Sequence, residues 1–76
     1  MKEKIIAILN ELRPEFDFTD DVNFIEEGML DSFDVVSLVS ELEEAFGILI
    51  DGTEILPENF SSIESIETLV NNSKKR

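Results

Sequence analysis

The chain contains no cysteine and no histidine. Their absence excludes disulfides, thiolate or imidazole metal ligation, and every nucleophilic mechanism that runs through a Cys or His side chain. Glycine and proline are scarce, three and two in 76 residues, so breaks between elements fall at few places. No long apolar run is present either. The first, Ile5-Ile6-Ala7-Ile8-Leu9, meets Asn10 and Glu11 at once and is too short for a signal h-region or a membrane span. A cytoplasmic protein without membrane insertion is expected. The last shortage is positive charge. The six basic residues are Lys2, Lys4, Arg13, Lys74, Lys75 and Arg76, and none lies between Pro14 and Ser73, where all the carboxylates except Glu3 and Glu11 stand. With a net charge of -12, such a surface repels nucleic acid and anionic lipid and favours partners with basic surfaces.

Apolar side chains are plentiful. They make up 42% of the chain and include six phenylalanines, enough for a packed globule despite the charge. A chain this short buries only about 60% of its unfolded surface on folding, so a single domain over residues 1–76 with a small core is expected.

Periodicity predicts an all-α fold, a small bundle of three main helices plus a short one. Residues 2–13 bring Ile5, Ile8, Leu9 and Leu12 to one helical face. Pro14 ends that helix by pushing its predecessor out of helical geometry. Residues 14–31 show no steady period, yet carry Phe16, Phe18, Val22, Phe24 and Ile25 among acids; the reading is a long ordered loop packed over the helices. Residues 32–46, SFDVVSLVSELEEAF, hold the strongest pattern, an apolar stripe of Val35, Val36, Leu38, Val39, Leu42, Ala45 and Phe46 closed by Gly47. Ile48-Leu49-Ile50 has strand propensity but no partner run, which assigns it to buried connection. Asp51 to Phe60 has room for one short helical turn carrying Ile55 and Leu56 before Pro57. Ser61 with Glu64 reads as a capping box, opening a last helix whose Ile63, Ile66, Leu69 and Val70 share a face. Residues 73–76 read as a frayed tail.

The junction EGMLDSFDVV, residues 27–36, holds the main candidate for function. An Asp-Ser pair before an apolar helix is ordinarily a cap. If Asp31 is the N-cap and Asp34 stands in the first turn near the positive end of the helix dipole, Ser32 has no capping duty. Its hydroxyl then projects from a loop–helix junction whose amides and dipole tolerate a phosphate. Catalysis by Ser32 itself lacks a base: the nearest lysine in sequence is Lys4, and the neighbouring carboxylates are weak. No catalytic residue and no resident metal site is expected. An EF-hand loop from Asp17, with Thr19, Asp21 and Asn23, would need glycine sixth and an acid twelfth, where Val22 and Gly28 stand. Two classes stay open: a protein modified on Ser32 by another enzyme, and an unmodified acidic helical interaction domain.

Asp31-Ser32 followed by a large apolar residue resembles the Asp-Ser-Leu attachment motif of the acyl carrier protein family, the carriers of 4'-phosphopantetheine. Val36, Leu38, Val39, Leu42, Glu43, Glu44, Phe46, Gly47 and Ile50 stand where such carriers keep an apolar helix, an acidic edge and a closing Phe-Gly-Ile. Phe24 and Glu26 also fit, and the similarity covers nearly the whole chain. The resemblance implies that a phosphopantetheinyl transferase moves the arm from coenzyme A onto the Ser32 oxygen, leaving a phosphodiester and a terminal thiol that bears acyl cargo as a thioester. A protein without cysteine would thus do thiol chemistry. It further implies that Asp31 helps to hold magnesium in the transferase complex. Asp31, Asp34, Glu41, Glu43 and Glu44 would dock on basic patches of acyl- or aminoacyl-loading and acyl-processing enzymes. The carrier itself would be a non-catalytic monomer, serving fatty-acid, polyketide or related biosynthesis.

Departures from the pattern bear on cargo. Phe33 replaces the usual leucine, Gly28 lies four residues before the serine where fatty-acid carriers more often have it three before, and Ser37 and Ser40 dilute the helix. Gly-Met-Leu-Asp-Ser-Phe with the later Leu-Pro-Glu-Asn-Phe is similar to small free-standing D-alanyl or aminoacyl carriers, loaded by an adenylating enzyme. Fatty-acid carriers hide the chain between helices, and Val35, Val36, Val39, Leu42, Ile55 and Ile63 would line such a pocket; a core this small needs those residues for packing in any case.

Overall fold

Three- and four-residue spacing of apolar side chains sets the helices where the pattern predicts them. The computed structural model describes residues 1–76, with α1 (Lys2–Leu12), α2 (Ser32–Phe46) and α3 (Ile63–Asn72) as its main elements. α1 buries Ile5, Ile8 and Leu9, α2 buries Leu38 and Leu42, and α3 buries Ile66, Leu69 and Val70. Together with loop and connector residues they form one core of 15 apolar side chains, with no polar or charged residue buried. α1 packs on both α2 and α3. It runs antiparallel to α2: near its start Lys4 Nζ donates to the Ala45 carbonyl at 3.1 Å, and past its end Arg13 Nε donates to Asp34 at 2.9 Å. The first of these bonds satisfies an open carbonyl in the last turn of α2 and places a cation at the negative end of its dipole.

The long loop before α2 is ordered by its aromatic rings. Phe18 and Phe24 are fully buried and meet edge to face, centroids 5.0 Å apart, with Phe16 edge-on to Phe18. Met29 and Leu30 are buried beside them, while Val22, expected to pack, is 39% exposed. The Phe24 amide donates to the Ser61 carbonyl, and the Phe24 carbonyl accepts from Met29, so the loop is tied both to the start of α3 and to itself. Asp17 and Asn23 spend their side-chain oxygens on backbone amides two and three residues on, the turn role of Asx side chains. Gly28 turns the chain at φ +72°, a conformation that favours glycine.

Five sequence expectations give way. Ile48–Leu49 is a strand and not buried connection: as β1 it pairs antiparallel with β2 (Lys74–Lys75), Ile48 opposite Lys75 and Leu49, which is exposed, opposite Lys74. The expected frayed end is therefore held, and the Arg76 amide adds a bond to the Gly47 carbonyl. Ile55 and Leu56 lie between two 3₁₀ turns, Gly52–Glu54 and Pro57–Phe60, and not on a helical turn; Pro57 starts the second turn, the first position its ring suits. The cap of α3 is shifted by one residue, since Ser62 accepts from the Ser65 amide while Ser61 donates to Glu58. Finally, the stripe on α2 is narrower than read: Val36 is 66% exposed.

Candidate functional site

Asp31 is the N-cap of α2, in extended backbone geometry. Its carboxylate accepts from the Asp34 amide at 2.9 Å, and the Asp34 carboxylate accepts from the Asp31 amide at 3.0 Å. This reciprocal box satisfies two of the free donors at the helix start without the Ser32 hydroxyl. Ser32 is the first helical residue, exposed, and no hydrogen bond engages its hydroxyl. The oxygen faces solvent on a rigid element whose amides and dipole favour an anion.

Beside it opens an apolar cleft of about 410 Å³, bordered by Ile25, Leu30, Val35, Val36, Ile55 and Pro57, with Asp31 and Ser32 at its edge. Of the residues expected to line a pocket, Val35, Val36 and Ile55 are here. Leu42 is instead fully buried in the core, with Val39 and Ile63 packed against it. Phe33 stands next to the serine on the outside of α2 and is 85% exposed.

The acids expected to act together do not all have free carboxylates. Glu41 and Glu44 are exposed and unpaired. Glu43 is half-buried, and its carboxylate accepts from the Ile50 amide at 3.0 Å, bracing the turn after α2. Asp34 is committed to the box and to Arg13, its side chain only 15% exposed. Burial pushes the Asp34 carboxyl up, but the Arg13 hydrogen bond and the Asp31 amide outweigh it and hold the group below its usual range. Arg13 is the residue that sequence reasoning missed. It reaches Asp34, Asp31 and Glu15 at 2.9, 3.4 and 3.0 Å, and nothing in the spacing couples position 13 to positions 31 and 34.

Residues 2–70 match the family described as the phosphopantetheine attachment site. The chain belongs to that family. As a phosphopantetheine carrier it is 33% identical over 76 residues to a D-alanyl carrier protein of Lactococcus lactis subsp. lactis, covering 97% of this chain and 96% of that one. Aminoacyl carrier protein 1 of Bradyrhizobium diazoefficiens is 39% identical over 64 residues, 84% of this chain and 70% of the relative. A D-alanyl carrier protein of Abiotrophia defectiva is 31% identical over 78 residues, covering all of this chain and 95% of its own. No solved structure matches the carrier significantly. Its cofactor is covalently attached 4'-phosphopantetheine, and the site fits that group: an uncommitted hydroxyl at a helix start, with open space beside it. Carriers of this family are non-catalytic and work with phosphopantetheinyl transferases and loading enzymes. No helix of this one is long and apolar enough to cross a membrane.

Proposed function

We propose that Ser32 bears the arm and that residues 1–76 act as one carrier domain for an aminoacyl group, D-alanyl being the first candidate, loaded by an adenylating enzyme. The observation that carries the attachment site is the reciprocal Asp31–Asp34 cap, which leaves the exposed Ser32 hydroxyl without a partner. What supports the cargo is end-to-end similarity to D-alanyl carriers and the exposed Phe33 beside the serine. When attached, the arm supplies the thiol this cysteine-free chain lacks. The chain's own residues do the presenting: Asp31 and Asp34 fix the helix start, Leu38 and Leu42 root α2 in the core, and Gly28 turns the preceding loop. Docking on basic partner surfaces falls to Glu41 and Glu44, because Asp31, Asp34 and Glu43 are held by intramolecular bonds. The carrier acts as a monomer in this reading. A second reading, carriage of fatty or polyketide acyl groups, is favoured by the apolar cleft beside Ser32.

Intact mass spectrometry tests the attachment. Incubation with coenzyme A and a broad-specificity transferase adds one phosphopantetheine to wild type and none to Ser32→Ala; a wild type that stays unmodified while a control carrier converts refutes the assignment. Loading the holo protein then divides the cargo readings. Efficient acylation by an amino-acid adenylating enzyme and not by a malonyl transferase is expected, and the opposite result selects the second reading.

A further inference from the structure

Arg13 differs from every other basic residue in the molecule. It alone reaches the start of α2, and it touches both halves of the capping box: Nε on Asp34 Oδ2 at 2.9 Å and Nη2 on Asp31 Oδ2 at 3.4 Å, with Nη1 on Glu15 at 3.0 Å. The guanidinium comes from the end of a packed helix. Arg13 is the C-cap of α1, its own amide bonded to the Leu9 carbonyl, and Leu9 is fully buried. Two carboxylates three residues apart at one helix start repel each other, and Asp34 is largely withdrawn from water, so its charge needs a partner. Arg13 is the cation that faces them, with donors arrayed in a fixed fork.

We propose that Arg13 is the positioning residue of the Ser32 site: it locks the Asp31–Asp34 box so that the Ser32 oxygen keeps one presented geometry, and it offsets part of the negative charge to which an anionic diester on that oxygen is added. This rests on the assignment of Ser32 as the attachment residue. With Arg13 neutralised, the repulsion between the two acids opens the box, the first turn of α2 frays, and the serine is presented in a smaller fraction of molecules. A diester joined to Ser32 then adds a fourth negative charge, beside Asp31, Asp34 and Glu15, to a cluster without a cation. Lysine keeps the charge but loses the fork, so R13K falls between wild type and R13Q.

The test compares apo wild type, R13K and R13Q as substrates of a broad-specificity transferase with coenzyme A, all checked for helicity by circular dichroism. R13Q is expected to lower kcat roughly tenfold, the scale of one lost cap interaction, with KM for the carrier within about twofold of wild type and R13K intermediate. Amide exchange at Asp31 and Asp34 should quicken in the same order. Modification should lower the Tm of R13Q more than that of wild type or R13K. Wild-type kcat in R13Q overturns the inference, as does unchanged protection of the two amides. A rise in KM with unchanged protection of the two amides also overturns it, by making Arg13 a docking contact. If R13Q does not fold, R13K decides, since wild-type kcat and amide protection there would refute a role for the fork. A wild type that resists modification refutes the Ser32 assignment itself, an outcome distinct from a modified wild type with indifferent Arg13 variants.

Discussion

The Ser32 hydroxyl caps nothing, so its removal is expected to leave stability within about 0.5 kcal/mol of wild type. Asp31→Ala removes the cap and should cost about 1 kcal/mol. Urea unfolding of the two variants checks the pair, and a larger loss for Ser32→Ala would contradict the division of roles. This much of the site was legible in the sequence because an N-cap is a local affair: the acid, the serine and the second acid lie within four residues. Arg13 was not legible, because its partners lie 18 and 21 residues away across an irregular loop. Glu43 misled for a related reason. On a helical wheel it sits with the acidic edge, yet its carboxylate folds over the Gly47 turn to the Ile50 amide.

The helices follow from period and punctuation, and the short elements do not. α2 has the bounds its pattern predicts, with Gly47 at φ +63° closing it. Gly47→Ala should therefore cost about 1 kcal/mol through left-handed strain although its Cβ would meet no neighbour, and thermal unfolding measures it. β1 and β2 are two residues each, too short to carry a period, and a Lys-Lys pair offers no apolar signal as a strand partner. The turn after β1 is fastened at Asp51. The Thr53 amide, then its hydroxyl, then the charge of Lys74 hold the Asp51 carboxyl below its ordinary 3.8. A depressed carboxyl stabilises the fold above its ordinary value, and that contribution is lost as pH falls through the lower folded one. Carbon-detected NMR titration should place the Asp51 midpoint under 3.8, and Thr53→Val should move it up; a Thr53→Val midpoint equal to wild type would sever the link.

A net charge of -12 on a molecule of 31 × 22 × 20 Å is a standing repulsion. Tm is expected to rise from low to moderate ionic strength as that repulsion is screened; a flat or falling Tm over the same range would count against it. The charges are also unevenly placed. Lys4 is bonded at Ala45, and the ribbon of β1 and β2 fastens Lys74, Lys75 and Arg76 beside Gly47, so these bases gather where α2 ends. Ser32 lies at the other end of this 15-residue helix, about 21 Å away, where Arg13 is already matched by acids. The four cations gathered where α2 ends repel a positively charged enzyme from that end of the helix. Approach by the serine-bearing end is therefore the less opposed one before any contact forms, which shortens the orientational search for a productive encounter.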